Sequence, residues 1–184
     1  MSETIMPRVV GLDLSLTSTG VAHPDGSTSL IKSKFKDDRR LLDLYFGIQA
    51  AVRTADFVVL EDLPLHAMSA GKTGQVQGVA RLAMRQQEVP YLALSPATLK
   101  KAATGKGNAK KPDMKAALIS AFAGYADIQQ EIETLNDDRV DAYHLRSCGL
   151  HLLGFPAPLV DKEALARYEE DPVVAELREV WGEP

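Results

Sequence analysis

One cysteine, Cys148, occurs in 184 residues. A lone thiol excludes an intramolecular disulfide and fits a reducing compartment. No apolar run approaches the roughly eighteen residues needed to cross a bilayer. The opening MSETIMPRVV has no basic start followed by a long apolar stretch, so no secretory signal is expected and the expected location is the cytoplasm. Positive charge is also scarce: 21 Lys and Arg stand against 25 Asp and Glu, for a net charge of −4 and a pI near 5.6. No global basicity advertises a polyanionic partner, so such binding would need basic residues gathered on one face. Internal repeats and low-complexity tracts are missing as well.

What is present suits one soluble domain with a sizeable core. Hydrophobic residues at 45% and charged residues at 25% are ordinary for that class. Residues 9–14 form a short apolar run, and 20–22 begin another after a turn-prone stretch. His23-Pro-Asp-Gly26 is a turn signal, and 29–31 can return as a third strand, which gives an antiparallel meander. From Asp38 the period becomes helical, with Leu41, Leu42, Tyr45, Ile48 and Val52 on one apolar face and Asp37 or Asp38 as the cap.

Residues 57–60 are uniformly apolar, as a central strand buried on both faces would be. A helix is expected over 75–87, a strand over 91–94 and a short helix from Ser95-Pro96 to Ala102. A lysine-rich loop leads to a helix over 112–122, and a last strong helix spans 138–153 before Gly154-Phe-Pro-Ala-Pro158. The predicted class is α/β: three antiparallel strands, then parallel ones, in a mixed five-stranded sheet flanked by helices. Residues 1–158 make the domain, and the charged, moderately helical 159–184 form a C-terminal appendage.

Four carboxylates carry the candidate chemistry. Asp13 interrupts an apolar strand in which alternation puts Gly11, Asp13 and Ser15 on one face. An ionised side chain buried there without a partner is costly, although an aspartate at a strand end also serves to cap a turn. Glu61 ends the 57–60 run, at the kind of strand terminus whose loops carry function. Its neighbour Asp62 points to the other face and is the weaker candidate. Asp138 and Asp141 are spaced i, i+3 on one helical face. Acids favour helix N-termini in any case, with Asn136 or Asp137 available as the cap.

No one of these decides the matter, but as a set they can converge on one point. Hard divalent cations such as Mg²⁺ take oxygen ligands of this kind. Two such ions about 3.5–4 Å apart can activate water and stabilise a leaving oxygen. His144, Cys148 and His151 share a stripe with Asp141, but three ligands from one continuous helix cannot close a tetrahedral zinc site.

Between residues 100 and 115, six lysines (Lys100, Lys101, Lys106, Lys110, Lys111 and Lys115) face one acid, Asp113, a local balance of +5. Gly105 and Gly107 let backbone amides approach phosphates, and Asn108 and Thr104 add donors. No aromatic residue is interleaved, so contacts there would be to the backbone and salt-dependent. Gly71-Lys-Thr-Gly-Gln75, with Lys72, reads as a second polar loop close after Glu61.

Quoted in order, Gly-Leu-Asp13-Leu-Ser-Leu-Thr-Ser-Thr-Gly20-Val-Ala resembles the first-strand motif of RuvC-type Holliday junction resolvases, and Val58-Val-Leu-Glu61 resembles their glutamate strand. Ser95-Pro-Ala-Thr-Leu-Lys100, with the lysine- and glycine-rich run to Lys111, is similar to their basic segment, and Asp138-Arg-Val-Asp141-Ala-Tyr to their closing acid pair. The resemblance covers residues 8–153. It implies a ribonuclease H-like fold, a homodimer, and Mg²⁺- or Mn²⁺-dependent nicking of branched DNA such as four-way junctions, in a bacterial or phage-infected cell. Asp13, Glu61, Asp138 and Asp141 then take the catalytic and metal-holding roles.

One departure stands out. Where the well-known bacterial members carry a junction-opening aromatic, this chain has Pro64, which leaves Leu65 and Met68 as candidates for distorting the junction. Such divergence suits a phage-encoded or distant member. Three rival readings remain, of which a non-catalytic DNA-binding module is opposed by the four intact acids. Another is a related nuclease acting on flaps, forks or RNA–DNA hybrids. The third is an actin-like ATPase or kinase, for which the chain is too short to supply both ATP-enclosing domains.

Overall fold

In the computed structural model, residues 6–63, 70–158 and 160–181 are described. Five strands form one mixed sheet in the order β3-β2-β1-β4-β5. Strands β1 (Val9–Asp13), β2 (Thr19–Ala22) and β3 (Thr28–Ile31) make the antiparallel meander, turned through Gly26 at φ +88°. Strand β4 (Phe57–Glu61) lies parallel to β1, and β5 (Tyr91–Leu94) parallel to β4.

The uniform apolarity of β1 and β4 follows from burial on both faces. On one face Val10, Leu12, Val58 and Leu60 meet helix α1 (Arg39–Val52) through Leu44, Ile48 and Val52, and helix α2 (Ala70–Gln86) through Val76, Ala80, Ala83 and Met84. On the other, Val9, Phe57 and Val59 meet helix α6 (Asp137–Leu152). Helices α3 (Pro96–Thr104), α4 (Lys111–Ala121) and α5 (Ala126–Thr134) complete that layer. Residues 160–181 join the same core. Helix α7 (Lys162–Leu165), a 3-10 turn (Ala166–Tyr168) and helix α8 (Pro172–Trp181) bury Leu165, Val174 and Leu177, and the Arg178 guanidinium donates to the Leu152 carbonyl at 2.6 Å.

Several local expectations need correction. The buried face of α1 runs through Leu44, Ile48 and Val52, while Leu42 is 58% exposed: the sheet selects the stripe of the helix that faces it. Asp38 holds the cap position without a side-chain bond, and the Asp37 carboxylate takes the Arg39 N–H instead. Helix α2 starts at Ala70, so the stretch through Gly71, Lys72 and Gln75 is helical rather than a loop. Helix α5 was not foreseen. Its apolar face is short, and only Ile132 is buried.

Candidate active site

Asp13 and Glu61 end adjacent parallel strands whose preceding residues, Leu12 and Leu60, are register partners. Both carboxylates therefore leave the sheet at the same edge. Helix α6 brings the other two acids to them because glycine lines its seat. A methyl group on Gly20 would overlap the Asp138 carbonyl, and one on Gly11 the Ala142 carbonyl. The first two turns of α6 thus rest directly on β2 and β1, so Asp138 and Asp141 come down beside Asp13. Two arginines pin the helix across the meander. Arg139 donates to the Thr28 hydroxyl at 2.8 Å and carbonyl at 3.1 Å, and Arg146 to the Pro24 carbonyl at 2.6 Å.

The electrostatics show how closely the acids converge. Burial, followed by repulsion from Glu61, Asp141 and Asp138, holds the Asp13 carboxyl well above the usual range, with Lys111 opposing. Glu61 is pushed up to about 7 by burial and then by Asp141, against Lys100 and Lys111. Asp141 is pushed up to about 6, again chiefly by burial, with Asp137 and Asp138 adding to it and Lys111 and Lys100 opposing. Asp138 accepts from the Asn136 amide at 3.0 Å, so Asn136, at the cap position, spends its side chain there and leaves the helix end uncapped.

Among the described residues, no three of His, Cys, Asp and Glu are placed so that they could hold a metal ion together. The donor chemistry nevertheless fits a hard divalent cation: the groups are all oxygen acids, partly desolvated and short of positive charge.

The lysine segment divides into separate roles. Lys111 pairs with Asp137 at 3.0 Å, and both Lys111 and Lys100 act on the acid cluster through charge. Lys115 donates to the Glu133 carbonyl at 3.0 Å and ties α4 to α5. Lys101, Lys106, Asn108 and Lys110 are exposed. Gly105 takes φ +76° as the C-cap of α3, while Thr104 donates to the Lys100 carbonyl at 2.8 Å and so has a structural job. Asp113 accepts the Lys110 N–H at 2.8 Å and starts α4. Leu65 and Met68 lie outside the described residues, as does the side chain of Lys72.

Asp62 turns away from the acids, toward Arg81 at 3.6 Å. His144 is buried against the Met114 carbonyl at 3.0 Å, and burial pushes the Cys148 thiol up to about 12, so both pack in the core. Sequence reasoning missed Gln77, a buried residue of α2 whose amide donates to the Glu61 carbonyl at 2.5 Å. It also passed over the packing role of Gly11, although the alternation with Asp13 was the signal for it.

Solved structures place this architecture. The T. thermophilus RuvC in complex with Holliday junction substrate superposes at TM-score 0.60 with 17% identity, over 76% of this chain and 90% of that one. A Thermus thermophilus RuvC structure gives 0.58 and 18%, over 75% and 89%. The class is therefore the ribonuclease H-like fold in its RuvC form.

The family model of the crossover junction endodeoxyribonuclease RuvC matches residues 9–137, and the chain belongs to that family. The RuvC of Chlamydia trachomatis serovar L2 is 39% identical over 97 residues, 52% of this chain and 55% of that protein. The RuvC of Chloroflexus aurantiacus is 28% identical over 145 residues, 77% and 76% of the two. The RuvC of Chlamydia felis is 30% identical over 134 residues, 71% and 77%. The chain thus spans about half the length of the first of these relatives. The family match ends one residue short of Asp138; the seating of α6 on Gly11 and Gly20 sets Asp138 and Asp141 beside Asp13.

Proposed function

We propose that the chain is a structure-selective endonuclease that nicks branched DNA, four-way junctions foremost, with Mg²⁺ or Mn²⁺ held by Asp13, Glu61, Asp138 and Asp141. The observation that carries this is the convergence of four partly desolvated carboxyls at one sheet edge, three of them pushed up by burial and mutual repulsion. Asp13 is central and would be shared, with Asp141 for one ion and with Glu61 and Asp138 for the other. When bound, such a pair supplies charge stabilisation for an in-line phosphodiester displacement and lowers the pKa of the attacking water. The chain's own residues supply the frame. Gln77 fixes the Glu61 backbone, and Gly11 and Gly20 set the height of α6.

The same edge suits a polyanion in spite of the net charge of −4. Helices α2 and α3 follow the C-terminal ends of β4 and β5, and α6 starts against Gly20, the pairing partner of Asp13, so these positive dipole ends face the substrate side. Lys100 and Lys111, whose charge reaches the acids, and the exposed Lys101, Lys106, Asn108 and Lys110 of the same segment would then supply phosphate contacts, with Lys115 in α4 and Lys72 in the first turn of α2. A homodimer would cover exposed apolar residues of α1 and α2, namely Leu42, Phe46 and Leu82. No helix among the described residues is long and apolar enough to cross a membrane.

The test is cleavage of a labelled synthetic four-way junction with Mg²⁺ or Mn²⁺, beside linear duplex, flap, fork and RNA–DNA hybrid. Paired nicks in opposite strands of the junction are the expected result. Pro64, in place of the family's aromatic, favours a second outcome in which flaps or forks are cut in preference to junctions. Cutting of nothing with either metal would overturn the nuclease reading.

A further inference from the structure

Beside Asp13, on the α1–α2 face of the sheet, the turn after β1 opens onto a concavity of about 240 Å³ lined by Leu14, Ser15, Leu16, Thr17, Arg40 and Thr73. Arg40 is the unusual member. It is half-buried, and its guanidinium Nε is shielded from solvent with no hydrogen-bond partner. The Asp37 carboxylate, whose charge Arg40 feels, is taken by Arg39 through bonds of 2.9, 3.0 and 2.6 Å. Arg39 also lies over the Phe35 ring, 4.3 Å from its centroid.

Two arginines adjacent in sequence therefore have opposite fates. One is hydrogen-bonded to the Asp37 carboxylate, and the other meets it only through charge. Arg40 also sits in the first turn of α1, where the helix dipole disfavours a cation, and Asp37 reaches it through charge alone, without a hydrogen bond. Folding alone gives no reason to keep a half-buried guanidinium with an unpartnered Nε there.

We infer that Arg40, with the Ser15 and Thr17 hydroxyls, forms a seat for a DNA backbone phosphate next to the one positioned at Asp13. The lysine segment lies on the α6 face of the sheet and Arg40 on the α1–α2 face, with the carboxylates at the edge between them. A strand crossing that edge meets the lysines on one side and Arg40 on the other. With Nε shielded, the two terminal guanidinium nitrogens are the donors that would meet phosphate oxygens. Ser15 Oγ and Thr17 Oγ1 lie 3.0 Å apart, so one of them can donate to the same group. The first turn of α2, which contributes Thr73, adds a second positive helix end.

This seat rests on the nuclease reading above, and the test separates the two. Binding of a four-way junction and of a single-stranded oligonucleotide is titrated at several salt concentrations without divalent metal. Wild type, Arg40→Gln, Arg40→Lys and Lys106→Ala are compared, with thermal unfolding of each. Arg40→Gln is expected to weaken binding about tenfold and to make the log-affinity against log-salt slope shallower by about 0.9 on the junction and about 0.7 on the single strand, as loss of one phosphate contact does. Arg40→Lys should restore the slope, an effect that a purely structural arginine would not show. If Arg40→Gln keeps the wild-type slope while Lys106→Ala loses its share, the seat is overturned and the nuclease reading stands. If wild type binds neither DNA, both fall.

Discussion

Asp13 is the residue on which the site turns, because it alone is repelled by all three other acids. Replacing its carboxylate with an amide removes one charge and leaves the shape nearly unchanged. Asp13→Asn is therefore expected to lower the rate of junction cleavage by at least about a thousandfold, the scale at which a metal-holding group contributes to such chemistry. DNA binding should hold or improve, since a negative charge facing phosphate is lost. Single-turnover cleavage together with a metal-free gel shift checks both halves, and an equal fall in binding and cleavage would make Asp13 a structural residue. The lysines allow a similar distinction. Lys106 and Lys110 are exposed, whereas Lys111 is paired with Asp137. Lys106→Ala with Lys110→Ala should flatten the salt dependence of binding by about two units of slope, near 0.9 for each phosphate contact. Lys111→Ala should act on cleavage as well, because its charge opposes the raised pKa of Asp13, Glu61 and Asp141.

Between elements, the decisive contact is α6 on the sheet, and it is made by what is missing at Gly11 and Gly20. Gly20→Ala places a methyl group against the Asp138 backbone, which has no flexible end to move aside. Overpacking of this kind costs about 1–3 kcal/mol, and the strain falls on the turn that carries Asp138 and Asp141. Cleavage is expected to fall further than this loss of stability accounts for. Chemical denaturation and cleavage, both measured below the unfolding transition, check the prediction, and a fall in stability alone would limit Gly20 to packing. This interface also marks how far the sequence could be read. Strand edges and carboxylates were legible because apolar runs ending in an acid at Asp13 and Glu61 are a local pattern. The glycine seat was not, because the close approach involves a partner more than a hundred residues away. Helix α5 escaped for the opposite reason. It spans nine residues, and its apolar stripe is only Ile128 and Ile132, of which Ile132 alone is buried, so the period is too short to stand out. Arg40 reads as one more charge on an exposed helix start, and only its burial and missing partner set it apart.

At the scale of the whole molecule, the acid cluster sets how stability responds to pH. In Glu61 and Asp141 the folded-state pKa is raised, to about 7 and about 6, from ordinary values of 4.5 and 3.8, and Asp13 is raised as well. An acid shifted upward binds its proton more tightly folded than unfolded, so these groups favour the folded state at low pH. Their stabilisation is lost as pH rises from about 4 through about 7, and the full penalty persists above that. Asp25, Asp37 and Asp56 are lowered by their hydrogen bonds and have the opposite sign, with stability lost only as pH falls below the ordinary carboxylate range. Without divalent metal, the melting temperature should therefore peak on the acid side of neutrality and decline toward pH 8. A bound divalent cation reverses the local preference by favouring the ionised carboxylates. Mg²⁺ or Mn²⁺ should raise the melting temperature strongly at pH 8 and little at pH 5, where protons compete for the same oxygens. Asp13→Asn should raise the metal-free melting temperature at pH 8 and abolish most of the metal-dependent rise. Thermal scans at both pH values, with chelator and with millimolar metal, decide the matter. Equal stabilisation by metal at both pH values, or in wild type and variant alike, would mean that the ion binds somewhere other than this carboxylate edge.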